Sequence, residues 1–348
     1  MDKYISFIKK YITLKRTIQL IIFFVVMIML IFTILYNKAV TKPLKSNEDK
    51  IIIEVKPGEG FYDVLNDLDK ENKLSSKLFI KLNLSIDKVK VNITEGIYEV
   101  NTDTTLENLI KSLENKDGDK DLVKLTIPEG YSIDDIAKTV DEKGICSKDE
   151  FLNAVKNCEL PDYIKADSSK RYNLEGFLYP DTYLIEKGAN AKDIIKLMLD
   201  RFNEIMKQVK AETKVDIKDE DVEKTITIAS MIEKEARVPK DRPLISSVIY
   251  NRLEKNMKLQ IDAAVIYALG HHVDVVSNKD LEIDSPYNVY KYSGLPIGPI
   301  ANPGIDCIKA ALTPEKTDYL YYILQKDGSH YFTNDYNDFL NKKKELGY

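Results

Sequence analysis

The sequence predicts an α+β protein held by one N-terminal transmembrane helix. Three observations lead there. Residues 17–36, TIQLIIFFVVMIMLIFTILY, form an uncharged apolar run. A β-rich run, a Pro-Gly turn and an amphipathic helix occur twice, about 71 residues apart. Long helix-period segments follow, with a β-hairpin signal beyond them.

The apolar run comes first. Its twenty residues rise about 30 Å as a helix, the thickness of a bilayer core. A cleaved signal peptide would have a shorter apolar core, about 7–15 residues, ending in small residues. No A-x-A-like site follows Tyr36. Residues 1–16 carry Lys3, Lys9, Lys10, Lys15 and Arg16 against Asp2, a local charge of +4. That basic tail favours a cytoplasmic N-terminus, which Lys38, Lys42 and Lys45 weaken without reversing. The reading is then a cytoplasmic tail over 1–16, a membrane helix over 17–36, and a polar stalk over 37–50. Everything beyond is placed outside the cytoplasm at the cell membrane. The net charge is −5, so the chain after residue 16 sums to −9. So acidic a part is a poor partner for nucleic acid, whose phosphates need clustered Lys and Arg.

Residues 51–120 read as a membrane-proximal module. Its first repeat copy is IIIEVKPGEGFYDVLNDLDKENKLSSKLF, residues 51–79. The second, LVKLTIPEGYSIDDIAKTVDEKGICSKDEF, covers 122–151. Val64, Leu65 and Leu68 in one helix answer to Ile136, Ala137 and Val140 in the other. Leu-Ser-Ser and Ile-Cys-Ser then read as N-caps of a second short helix. NITEGIYEV (92–100) is a strand candidate, and TTLENLIKSLEN (104–115) a helix capped by Thr104 or Thr105. NKDGDKD (115–121) is a loop. Such a repeat serves either as a spacer that touches carbohydrate or as architecture alone.

Residues 121–348 are taken as the second region, with 121–165 a repeat-like module leading into it. NLEGFLYPDTYLI (173–185) is apolar and aromatic around a Pro-Asp turn. Helices are expected over 191–209, 221–237, 243–254 with Asp241 as N-cap, and 263–269 between Asp262 and Gly270. His271 and His272 suit that last helix's C-terminus. YLYYIL (319–324) and residues 329–333 flank a Lys-Asp-Gly turn and form the hairpin. Three cysteines, Cys146, Cys158 and Cys307, make no disulfide framework and read as small buried hydrophobes, with a Cys146–Cys158 bridge the alternative. Three histidines, none in H-x₃-H spacing, offer no metal site, and no cofactor is expected.

Cleaving a glycosidic bond needs a protonated carboxyl beside the leaving oxygen, in surroundings apolar enough to raise its pKa. The segment IASMIEKEAR (228–237) supplies two acids on an otherwise apolar helix. On a helical wheel Glu235 lies about 60° from the centre of the apolar stripe and Glu233 about 100° away on the other side. Met231 and Ile232 are the i−4 and i−3 neighbours of Glu235. The wheel therefore favours Glu235 as a half-buried acid. A solvated edge glutamate fits the same pattern.

LEGFLYPDTY (174–183), IASMIEKEA (228–236), NRL (251–253), LQID (259–262), SPYNVY (285–290) and GLPIGPIANPG (294–304) stand in this order along the chain. Together they resemble the YceG family of MltG-type endolytic murein transglycosylases. The resemblance implies a LysM-like membrane-proximal module and a catalytic domain with a lysozyme-like acid helix. It implies that Glu235 is the catalytic residue; Glu233, Asp262 and His330 are second-tier candidates. Lytic transglycosylases need one carboxyl, which protonates the oxygen between MurNAc and GlcNAc. It then takes a proton from the C6 hydroxyl, which closes a 1,6-anhydro ring. Gln260, Tyr287, Asn288 and Asn302 are then the candidate sugar contacts. Asp262 is either an N-cap or the second carboxylate of a hydrolase, and His330 is more often structural than catalytic. Peptidoglycan strands, the bilayer and wall synthases are the implied partners. A membrane-anchored scaffold without catalysis, or a lysozyme-like hydrolase, are the alternatives.

Overall fold

The computed structural model describes residues 2–46, 48–86, 91–114, 122–271 and 273–347, with side chains of the first helix from residue 20, except residue 21. The loop expected at 115–121, His272 and the side chains of the basic tail lie outside the described residues. The chain divides into two units, Met1–Lys124 and Leu125–Tyr348.

The first unit opens with α1 (Asp2–Thr41). No Gly or Pro interrupts it before Pro43. Lys42, which precedes that proline, is biased away from helical backbone. Ile22–Thr41 is long and apolar enough to cross a membrane. The expected stalk over 37–50 does not hold. Residues 37–41 continue the helix, Ala39 is fully buried, and Leu44 is buried in a bridge to Leu74. Ser75 N donates to Pro43 O at 2.8 Å and Lys45 N to Lys73 O at 2.8 Å. Two apolar residues in a polar stretch suffice for this packing, and they show no periodicity.

β1 (Lys50–Val55) alternates buried Ile51, Ile53 and Val55 with more exposed residues. It pairs antiparallel with β2 (Gly96–Asn101), Lys50 opposite Asn101 and Val55 opposite Gly96. Between them run α2 (Phe61–Lys70) and α3 (Lys77–Ile86), and α4 (Leu106–Glu114) follows. Thr105 Oγ1 accepts from Asn108 N, the capping bond expected there. To the core these helices bring Phe61, Val64, Leu65, Leu68, Ile80, Leu84, Leu106, Leu109 and Leu113, which meet Ile51, Ile53 and Val55 of β1.

The unit boundary falls within β3 (Leu122–Thr126), which pairs with β4 (Thr182–Glu186). α5 (Ile133–Glu142) and α6 (Lys148–Lys156) follow β3, so each repeat copy is strand, helix, helix. Ser132 and Ser147 close capping boxes with Asp135 and Glu150. α7 (Ala191–Thr213) starts at the Asn190 cap and turns Ile194, Ile195, Met198, Phe202 and Ile205 inward.

α8 (Asp219–Glu235) carries the two acids. Every residue from Thr225 to Ile232 is buried. It is therefore a central helix, packed by α9 (Arg242–Glu254), α10 (Asp262–Leu269) and α11 (Ile305–Leu312). The narrow stripe of the wheel understates this. Its polar residues hide by bonding backwards: Thr225, Thr227 and Ser230 hydroxyls donate to Asp221, Glu223 and Thr227 carbonyls. β5 (Tyr321–Leu324) and β6 (His330–Thr333) form the expected hairpin, and α12 (Tyr336–Leu346) ends the chain. Cys146, Cys158 and Cys307 are free thiols, so the Cys146–Cys158 bridge is not formed.

Candidate active site

Glu235 is the last residue of α8, and Ala236 leaves in an extended conformation. Its side chain is half-buried. The Tyr322 hydroxyl, from β5, donates to Glu235 Oε2 at 3.0 Å. Burial pushes the Glu235 carboxyl up to about 7; the Tyr322 bond and Arg237 pull against that, and the Asp262 charge adds to it. The negative end of the α8 dipole works in the same direction as Asp262. Tyr322 is held well above its ordinary range by burial and by Glu235, so it remains a donor.

Asp262 is not the N-cap expected of it. It stands in the first turn of α10, Ile261 takes the cap position, and no side-chain cap bond forms. Its Oδ1 accepts from Tyr290 OH at 2.5 Å. Asp241 departs from expectation in the same way. It precedes α9 without a side-chain cap bond, and its Oδ2 accepts from His330 N at 2.7 Å and contacts His330 Nδ1 at 2.9 Å. Both groups are buried. The pair fastens β6 to the turn after α8, which gives His330 a structural job. The His330 ring stands edge-on to Tyr322, centroids 5.4 Å apart.

Arg252 fastens the other side. Its guanidinium is buried and donates to Leu320 O at 2.6 Å, Leu259 O at 2.7 Å and Lys258 O at 3.2 Å. It also stacks on Tyr321 at 5.4 Å. Asn251 Nδ2 donates to Thr317 O and Tyr319 O, both at 2.9 Å. One Arg thus ties the segment that leads to Asp262 to the strand that carries Tyr322. In the sequence Arg252 shows only as part of NRL and Tyr322 only as part of a strand, and neither reveals its partner.

Glu233 points elsewhere. Its Oε2 accepts from Gly304 N at 3.0 Å, at the start of α11. A Cβ on Gly304 would overlap Glu129, whose carboxyl is pushed up by burial and then by Glu233.

Of the four expected sugar contacts, one is open to solvent. Gln260 is exposed, with φ +54° and its backbone amide donating to Val289 O at 3.2 Å. The other three are buried and spend their polar atoms inside the fold. Tyr287 accepts from Arg171 N at 3.3 Å and packs edge-on against Tyr267, 4.8 Å between centroids. Asn288 Nδ2 donates to Leu281 O and Ile283 O, both at 2.9 Å, while its Oδ1 accepts from Tyr290 N and Lys291 N. Asn302 Nδ2 donates to Tyr131 O and to Glu175 Oε1, and its Oδ1 accepts from Leu178 N. In this structure these side chains hold their irregular segments together.

Glu175, which sequence reading did not single out, is fully buried. It accepts from Ile133 N, Tyr267 OH and Asn302 Nδ2. Burial pushes its carboxyl up to about 8. Its signal was a lone acid between Leu174 and the Phe177-Leu178 pair.

Comparison with known proteins gives this arrangement a context. A model of the YceG-like family matches residues 53–345. The endolytic murein transglycosylase of Bacillus subtilis (strain 168) is 35% identical over 325 residues, 89% of each chain. That of Streptococcus pneumoniae (strain D39) is 31% identical over 324 residues, 85% of this chain and 58% of its own length. The crystal structure of a yceG-like protein from Listeria monocytogenes superposes with TM-score 0.57 at 33% identity, over 86% of this chain and all of that one. With the family match running through both units, this chain belongs to the YceG-like family.

Proposed function

We propose that the chain is a membrane-anchored endolytic murein transglycosylase, with Glu235 acting first as acid and then as base. The observation that carries this is a half-buried carboxyl with a pKa of about 7, bonded to Tyr322, in a chain similar to endolytic murein transglycosylases. An ordinary glutamate at pH 7 is protonated about one time in several hundred, whereas this one is protonated about half the time. It can therefore give a proton to the glycosidic oxygen between MurNAc and GlcNAc. The resulting carboxylate is held by the Tyr322 hydroxyl until it takes the C6 hydroxyl proton. That hydroxyl, already part of the substrate, closes the 1,6-anhydro ring without water.

On this reading α8 is the lysozyme-like acid helix, and residues 51–120 form the LysM-like module near the membrane. Gln260 is the remaining sugar-contact candidate. α1 crosses the cell membrane with its N-terminus in the cytoplasm, so the cut falls on nascent strands beside the bilayer, close to wall synthases.

The test is chromatography of muropeptides from peptidoglycan treated with the purified protein. The expected products carry 1,6-anhydroMurNAc ends. Reducing MurNAc ends would make the protein a hydrolase, and no new ends would leave it a scaffold.

The pH profile reports the same group. The acid must enter protonated, so kcat/KM should fall as pH rises through about 7. Tyr322→Phe removes a bond that lowers the Glu235 pKa, so this limb should move to higher pH while the plateau rate drops. A limb moving down would contradict the assigned bond. Asp262→Asn removes a charge that raises the pKa, so the limb should move to lower pH. The anhydro product should persist in that variant; its replacement by reducing ends would mean that Asp262 supplies a needed second carboxylate.

A further inference from the structure

The first unit carries an apolar feature that its own core leaves uncovered. α3 uses Ile80 and Leu84 for the core. A second face, Phe79 and Asn83, meets α1: the Phe79 ring stands edge-on to Phe32 at 5.1 Å and to Tyr36 at 6.4 Å, and Asn83 Nδ2 donates to Tyr36 OH at 3.0 Å. Beside that face Leu78, Leu82 and Ile86 follow one another at i, i+4 and i+8, which makes one ridge along the helix. Leu78 is 73% and Ile86 61% exposed, and Leu82 between them is half-buried. On a wheel Lys77 and Lys81 flank the ridge on the side away from α1. Lys81 Nζ sits over the exposed Tyr62 ring at 5.4 Å.

Where this ridge lies is fixed by what α3 touches. Phe32 is inside the apolar run of α1, and Lys38 is the first charge after it. Six residues rise about 9 Å. A helix that packs on Phe32 and Tyr36 therefore sits within two turns of the charged edge of the span, the level of the headgroups. α1 exposes Phe24, Ile28, Leu30 and Leu35 to whatever surrounds it. The ridge lies beside the face of α3 that meets α1, at the level of Phe32 and Tyr36. An apolar ridge edged by lysines and an aromatic ring has the chemistry of an interfacial helix.

We propose that α3 lies in the outer headgroup and upper acyl region of the bilayer, with Leu78, Leu82 and Ile86 in the lipid. The first unit then rests on the membrane through two helices. This rests on reading α1 as a membrane span.

The chain has no Trp, so a single substitution adds a unique fluorophore. Leu78→Trp and Ile86→Trp would be prepared in the full chain, with Phe24→Trp as span reporter and Leu340→Trp as solvent reporter. Each would be reconstituted in vesicles of phosphatidylethanolamine and phosphatidylglycerol. Emission of the Leu78→Trp and Ile86→Trp proteins should shift to the blue. It should also fall by about half or more when the lipids carry bromine in the upper acyl chain, the depth of an interfacial helix. The Leu340→Trp protein should be unaffected. If the span reporter is quenched while both ridge variants emit as in water, the proposal is overturned and the span stands. Blue-shifted but unquenched emission from the ridge variants would mean that protein, a second copy or another chain, covers the ridge, which also overturns it. An unquenched span reporter overturns the span and the proposal together.

Discussion

Glu235→Gln is expected to slow formation of 1,6-anhydro ends by about 10²- to 10⁴-fold, the range for losing a general acid and base. The amide is nearly isosteric and its oxygen still accepts from Tyr322, so the pocket is kept while the transferable proton is lost. Stability separates this from misfolding. The folded pKa of Glu235 is raised, to about 7, so the ionised form is disfavoured by folding. That penalty is absent below about pH 4, the unfolded range, grows up to about 7, and is constant beyond. Glu235→Gln should therefore raise Tm at pH 8 and leave it unchanged at pH 4. Glu233→Gln is the companion. It weakens the acceptor for Gly304 N, so Tm should drop while the same anhydro products appear. A folded Glu233→Gln protein without products would refute the assignment of Glu235.

Arg252→Ala should cost on the order of 3–5 kcal/mol in denaturant unfolding. Each hydrogen bond from a charged donor contributes about 1.5–3 kcal/mol, not additively. Arg252 makes one to each of Leu320, Leu259 and Lys258. Truncation leaves those carbonyls short of a donor and a void beside Tyr321. Arg252→Lys keeps the charge but loses the planar fork, and should recover less than half of the loss. Product formation should fall in both, because Tyr322 and Asp262 stand on the segments that Arg252 joins. A variant that unfolds like the wild type would show that Asn251 and the Asp241–His330 pair hold the hairpin alone.

Much of this was legible in the sequence, for reasons that differ by element. α7 shows its period because one face meets the core and Asn190 marks its start. The hairpin shows because Lys326-Asp327-Gly328 separates two aromatic runs. Glu235 stands out in the sequence because its i−4 and i−3 neighbours are apolar, a local property. Its partners were not, because Tyr322 is 87 residues away and only folding brings the two together. What the sequence did not show has one cause. Asp241 and Asp262 have in the sequence the commonest local job for a polar residue before a helix, and Asn288 and Asn302 have a sugar contact that comes with the motifs holding them. Each instead meets a partner that its own segment does not reveal: His330, Tyr290, the Leu281 and Ile283 carbonyls, and Tyr131 with Glu175.

α1 runs without a break into the packing of the first unit, through Phe32, Tyr36 and Ala39. A flexible tether forgives changes in length, whereas a helix does not. Each residue inserted below Phe32 would turn the buried end of α1 by about 100° and lift it about 1.5 Å. Anchor and first unit thus share an angular register. On the reading of α1 as a membrane span, the residue count of α1 sets which face of the span the first unit turns to.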